Sequence, residues 1–134
     1  LAKSLDLDER VRFLGGQGRL QIARLLHGCE LFVHPAVSEP FGLVVAEALA
    51  CKKPVVASNT GGIPEIIQDR TSGILVEPGR PQELARAISS ALGNPNLMNA
   101  LSTNGYAIVE KCFSYTNTGR NYEKTFNDLV GPAS

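Results

Sequence analysis

Residues 31–53 decide the fold of this chain, and they read LFVHPAVSEPFGLVVAEALACKK. The run predicts a strand over residues 31–34, a loop that holds Ser38 and Glu39, and a helix over residues 41–51. A loop above the carboxyl end of a parallel strand is where open α/β sheets bind their ligands. The sequence therefore places a candidate ligand site in this loop.

Short β-rich runs and helical patterns alternate on both sides of this stretch. Further strands are predicted over residues 11–15, 54–58 and 73–77, and helices over residues 19–29, 81–92, 96–112 and 114–130, with one helical turn over residues 63–68. Strands separated by helices of about ten residues indicate βαβ units, a parallel sheet and right-handed crossovers. The predicted fold class is α/β, with a Rossmann-like parallel sheet, flanking helices and C-terminal helices after it.

Four strands are fewer than an open doubly wound sheet usually contains, so we expect the missing strands to lie before Leu1. Residues 1–134 are predicted to form one incomplete domain, with an α/β core over residues 1–92 and helices over residues 93–134. A sheet that lacks its first strands has a free edge, and we expect that edge to be able to pair with another copy.

Composition and charge exclude several classes of protein. Thirteen basic residues balance thirteen acidic residues in this 134-residue chain, which argues against a nucleic-acid partner. No apolar run approaches the roughly 18 residues that span a bilayer, so no transmembrane segment is expected. The three cysteines form no C-x-x-C pair, as in a protein of the reducing cytoplasm.

Glu47 is the only charged residue in the predicted helix over residues 41–51. A helix this apolar is expected to be buried, and a buried carboxylate costs several kcal/mol unless a partner satisfies it. Hydroxyl groups of a ribose would satisfy it, and so would a buried Lys or a backbone N–H. Glu47 lies about 7.5 Å along the helix from Gly42, the spacing expected between a ribose and its pyrophosphate.

Two further features surround the same loop. Glu39 is explained either by the helix dipole or by sugar hydroxyls, and Gly42 would allow an anion close to the backbone N–H groups of the helix start. The Gly61-Gly62 pair follows the next strand at the same sheet edge. It either forms an ordinary strand-to-helix turn or walls the same crevice.

Metal and triad chemistry are not indicated. The two histidines, His27 and His34, are not part of a His/Cys/Asp cluster with metal-ligand spacing, so neither a metal nor another cofactor is expected. Ser38 lacks a G-x-S-x-G context. His34 at a strand end is interpreted as a packed residue.

The segment from Glu39 to Glu47, EPFGLVVAE, resembles the E-x7-E motif of family-4 retaining glycosyltransferases of the GT-B fold. Five more segments follow the order of that family: VRFLG at 11–15, LFVHP at 31–35, KPVVAS at 53–58, GGIPE at 61–65 and GILV at 73–76. The resemblance covers residues 5–92.

The resemblance implies a donor-binding half of an enzyme that transfers a hexose from a UDP- or GDP-linked sugar with retention of configuration. Glu39 would be the catalytic-site carboxylate, bonding the sugar and helping electrostatically, and Glu47 would bond the ribose. The implied donor-binding residues are Ser38, Glu39, Phe41, Gly42, Leu43, Glu47, Gly61 and Gly62, and Leu14 and Gly15 form the implied base region.

Two departures from the family pattern matter. The acceptor-binding N-terminal domain and the Arg and Lys that neutralise the pyrophosphate have no match in this chain, so the chain alone is expected to be inactive. In this family any membrane contact of the parent protein is usually made by the acceptor domain. Lys52 stands where the family usually has Gly, which strains a left-handed turn by roughly 1 kcal/mol.

A binding-only module and an oligomerisation module are the alternative functions.

Overall fold

Helices and parallel strands alternate along most of the chain. The computed structural model describes residues 1–7 and 9–130. A short 3-10 helix (Lys3–Leu5) is followed by helices α1 (Arg19–Gly28), α2 (Leu43–Ala50), α3 (Ile63–Ile66), α4 (Pro81–Leu92), α5 (Pro95–Phe113) and α6 (Tyr115–Val130) and by strands β1 (Phe32–His34), β2 (Val55–Ser58) and β3 (Ile74–Val76).

The three strands form one parallel sheet in the order β1-β2-β3. Val33 lies opposite Val56, and Ala57 lies opposite Leu75. All four residues of β2 are buried, as expected for the central strand of a parallel sheet that is covered on both faces. The predicted α/β class with a Rossmann-like sheet and C-terminal helices is confirmed.

The strand predicted over residues 11–15 is wrong. These residues have no regular structure, and Phe13 is 82% exposed. A strand needs a neighbour to satisfy its backbone N–H and C=O groups, and no strand in the described part of the chain pairs with this run. β1 is an edge strand of the observed sheet, and its pairing with a second copy remains a prediction.

Successive side chains of β2 point to opposite faces of the sheet, and helices pack against both faces. Val55 and Ala57 join a core with the buried residues of α1, α2 and α3. Val56 joins Ile74 in a second core, which the buried faces of α4 and α5 complete. These two layers hold β1 and β2 side by side, so their carboxyl ends and the loops that follow lie at the same edge.

Lys52 adopts the left-handed conformation, with φ of 55°. The turn after α2 is held by α5, because Ser102 Oγ donates to the Lys52 carbonyl at 2.7 Å. The Lys52 Nζ also lies 4.5 Å from the ring centroid of Tyr106. The strained turn is therefore retained through contacts from a helix far along the sequence.

Candidate functional site

The candidate site is formed by two loops at the carboxyl edge of the sheet. One loop connects β1 to α2 over residues 35–42, and the other connects β2 to α3 over residues 59–62. Because β1 and β2 are neighbouring parallel strands, the two loops leave the sheet side by side.

Glu39 is the centre of the hydrogen bonding in the first loop. Its Oε1 atom accepts hydrogen bonds from the backbone amides of Gly42 at 3.0 Å and Phe41 at 3.3 Å. Its Oε2 atom lies 3.2 Å from Nε2 of His34. The carboxylate thus occupies the amides of two residues, Phe41 and Gly42, that the resemblance implies for donor binding.

These contacts lower the pKa of the Glu39 carboxyl. The amide of Gly42 has the largest effect and that of Phe41 the next largest, since both donate to the ionised form. Partial burial opposes the shift, and the hydrogen bond and charge of His34 reinforce it. Glu39 is therefore a carboxylate at neutral pH and presents negative charge to the site.

The glycine-rich second loop contacts the first loop directly. The Gly62 amide donates to the Glu39 carbonyl at 3.3 Å, and Thr60 Oγ1 donates to the Val37 carbonyl at 3.4 Å. Gly61 has φ of 54°, and a Cβ atom there would lie 1.6 Å from the Glu39 carbonyl oxygen. A Cβ atom on Gly62 would lie 2.9 Å from the Pro40 carbonyl oxygen. Only glycine fits at position 61. The two loops therefore touch and form one continuous wall, the second of the two interpretations that the sequence left open for Gly61-Gly62.

Glu47 is exposed, so the expectation that it is a buried carboxylate is wrong. The buried face of α2 contains Val45, Ala48 and Leu49. At 100° per residue, Glu47 lies about 200° from Val45 around the helix and points away from the core. An apolar helix can keep one flank open, and the only charged residue of α2 stands on that flank.

The side of α2 that contains Glu47 lines a groove of about 280 Å³ between α1 and α2. The lining is mainly apolar and consists of Arg19, Ile22, Ala23, Leu26, Glu47, Ala50 and Cys51. The predicted base residues Leu14 and Gly15 are exposed and are not part of this lining. The groove offers one carboxylate and one guanidinium around an apolar surface, which suits an aromatic group that carries hydroxyls.

A second apolar groove begins near the start of α2. Phe41 and Leu43 are 73% and 69% exposed and line it together with Gly61 and Gly62. Ser38 is exposed in the loop beside it.

The amides of Leu43 and Val44 have no hydrogen-bond partner within the described residues, as expected for the first turn of a helix. These two amides remain available to an anion while Glu39 occupies those of Phe41 and Gly42.

His34 is the site residue that the sequence interpretation missed. It was expected to be a packed residue; its ring does stack on Phe32, but its Nε2 atom also pairs with Glu39, which was not expected. Its position at the last residue of β1, five residues before Glu39, was the available signal. The pairing depends on how the loop folds back over the strand end, which a spacing of five does not specify.

Comparison with known proteins identifies the family. The model of the family described as Glycosyl transferases group 1 matches residues 1–108. The chain belongs to this family. One relative, D-inositol 3-phosphate glycosyltransferase of Mycobacterium marinum, is 41% identical over 132 residues, which make up 98% of this chain and 28% of that protein.

Solved structures of other proteins share the fold of the chain. Anabaena HepE in complex with UDP-glucose matches with a TM-score of 0.86 at 33% identity, over 96% of this chain and 35% of that one. The C-terminal domain of a group 1 protein, LpcC of Francisella tularensis, matches with a TM-score of 0.73 at 28% identity, over 85% of this chain and 59% of that one. The chain is thus comparable with the C-terminal part of a group 1 glycosyltransferase.

No helix within residues 1–7 and 9–130 is both long and apolar enough to cross a bilayer. The same residues contain no group of three or more His, Cys, Asp or Glu side chains that could hold a metal ion. The expectation that this group 1 domain needs no metal stays a prediction.

Proposed function

We propose that this chain is the donor-binding part of a family-4 retaining glycosyltransferase and that it binds a UDP-linked hexose. One observation carries the proposal: the ionised Glu39 carboxylate stands at the start of α2, beside free helix amides and against the glycine loop. Hydroxyl groups of a sugar are good donors to that carboxylate, and a pyrophosphate is a good acceptor for the amides.

The grooves on either side give the parts of such a donor separate places. The pyrophosphate would lie at the amides of Leu43 and Val44, where the helix dipole favours an anion. The sugar would lie toward Glu39 and the Gly61-Gly62 loop. The nucleoside would lie in the groove between α1 and α2, where Glu47 can accept hydrogen bonds from ribose hydroxyls.

Similarity to a UDP-glucose complex supports UDP over GDP as the nucleotide. Anabaena HepE, bound to UDP-glucose, is 33% identical to this chain. Transfer with retention would need an acceptor-binding domain as well, so we expect this chain to bind the donor without transferring the sugar. No metal takes part in this proposal, since Glu39 and the helix amides supply the polar contacts.

The test is an NMR titration of the 15N-labelled chain with UDP, GDP, UDP-glucose and GDP-mannose. We expect saturable shifts at residues 42–47 and 61–65, with UDP-glucose binding tighter than GDP-mannose. Glu47→Ala should weaken binding about tenfold, the effect of losing a hydrogen bond to a charged group. Glu83→Ala, which removes an exposed carboxylate from α4, is the matched control and should leave binding unchanged.

A folded chain that shows no shift at millimolar ligand would contradict the proposal. Equal losses in Glu47→Ala and Glu83→Ala would contradict the assigned role of Glu47. Retention is tested separately, on a protein in which this domain is joined to its acceptor-binding domain, by the anomeric proton of the product. A product with inverted configuration would remove the enzyme from the retaining class.

A further inference from the structure

Groups of the chain itself occupy most of the acceptor positions of the Glu39 carboxylate. A carboxylate offers about four acceptor positions, two on each oxygen. The amides of Phe41 and Gly42 use both positions of Oε1, and His34 uses one position of Oε2. One acceptor position of Oε2 is left, and the Glu39 side chain is 23% exposed, so a ligand hydroxyl can reach it.

His34 is itself held in place by its strand. Its ring stacks on the ring of Phe32, two residues earlier on the same face of β1, with 6.2 Å between centroids and 12° between planes. The His34 side chain is only 20% exposed. This stacking on a strand residue restrains the His34 ring at the end of β1, where its Nε2 atom lies 3.2 Å from Oε2 of Glu39.

The two sets of contacts on Glu39 have different consequences. The amides anchor the carboxyl group to the start of α2 whether or not His34 is present. The terminal torsion of a Glu side chain is broad, so the amides alone leave the carboxyl plane free to turn. The contact with His34 fixes the direction of Oε2.

We propose that His34 is a positioning residue that holds Oε2 of Glu39 toward one hydroxyl group of the donor sugar. The inference rests on the proposed function and adds to it the group that makes the site selective for the sugar over the bare nucleotide. His34 makes no covalent step and no contact with the nucleotide in this proposal. Its removal affects only the part of the affinity that the sugar supplies.

The test compares the affinities for UDP and for UDP-glucose in four forms of the chain: wild type, His34→Leu, His34→Gln and His27→Gln. Leu fills the space of the ring without a donor, whereas the Gln amide nitrogen can replace Nε2. His27 is the other histidine of the chain and is exposed on α1, so His27→Gln controls for the loss of an imidazole.

We expect UDP-glucose to bind more tightly than UDP to the wild-type chain. His34→Leu should reduce that advantage about tenfold, as for a lost hydrogen bond to a charged group, while the affinity for UDP stays unchanged. His34→Gln and His27→Gln should still bind UDP-glucose more tightly than UDP, by the same factor as the wild-type chain. A His34→Leu chain that keeps this factor, or a wild-type chain that binds UDP and UDP-glucose equally, overturns the role of His34 and leaves the nucleotide site standing.

A ligand-free measurement separates this inference from the proposed function. At a pH at which the His34 imidazole is neutral, its 15N shifts should show the proton on Nε2, because Nε2 has to donate to the Glu39 carboxylate. A ring with no proton on Nε2 overturns the positioning role of His34 even if UDP-glucose binds well. A chain with the proton on Nε2 that binds neither UDP nor UDP-glucose overturns the proposed function, and the sugar-directing role falls with it.

Discussion

Replacing Gly61 by Ala tests whether the two loops form a single wall. A Cβ atom at this position would lie 1.6 Å from the Glu39 carbonyl oxygen, so the loops would have to separate by about 2 Å to reach an ordinary contact. That separation breaks the hydrogen bond from the Gly62 amide to the same carbonyl. The φ of 54° adds the strain that any L-residue has in the left-handed region.

The expected loss of stability follows from these contributions. Left-handed strain costs about 1 kcal/mol, the lost hydrogen bond about 1 kcal/mol and the forced loop movement about 1 kcal/mol or more. Gly61→Ala should therefore reduce the free energy of unfolding by about 3 kcal/mol, which a domain of this size can lose and still fold. The assay is urea unfolding followed by circular dichroism.

Gly79→Ala is the matched control for Gly61→Ala. Gly79 also has positive φ, at 72°, but a Cβ atom there has nothing within 4 Å. It should cost only the strain of about 1 kcal/mol. If the two variants lose the same stability, the contact between the loops does not constrain the structure, and the one-wall description of the site is refuted.

Two further predictions concern charge and strain. Because the folded chain lowers the pKa of Glu39, ionised Glu39 stabilises the fold above its unfolded pKa, near 4.5, and this stability is lost as the pH falls through the folded pKa. The stability difference between wild type and Glu39→Gln, measured by urea unfolding, should be largest near neutrality and shrink below pH 4.5; a difference that does not change with pH would contradict this. Lys52→Gly should add about 1 kcal/mol of stability in a Tyr106→Leu background, where no cation–π contact is lost, and less in the wild-type background. No gain in that background would show that the turn is unstrained.

Hydrophobic period and helix punctuation were sufficient to predict the main elements. The helix predicted over residues 81–92 has the observed bounds of α4, because Pro81 suits the first helical turn and Gly93 follows the last residue. A strand is predicted over residues 54–58, and the structure has β2 there (Val55–Ser58), with all four of its residues buried. These features depend on neighbours in the sequence, so a single sequence is enough to find them.

Three features required the tertiary structure. Residues 11–15 have strand composition, but composition cannot supply the neighbouring strand that they need. α2 is apolar on most sides, so its sequence alone did not show that Glu47 stands on the open flank. His34 and Glu39 meet because the loop folds back over the end of β1, and Gly61 confines that loop from the other side.

The sequence by itself determined the α/β class, the order of the elements and the loop in which the polar groups of the site lie. Those properties follow from local periodicity and from residues whose backbone preferences are strong, such as Gly and Pro. The tertiary structure decided which acceptor positions of Glu39 are occupied, which flank of α2 is open and how closely the two loops approach. The approach of the two loops depends on contacts between segments 20 or more residues apart, such as Gly61 against Glu39. The occupied positions of Glu39 depend on how its loop folds back over the end of β1, and local sequence preferences encode neither arrangement.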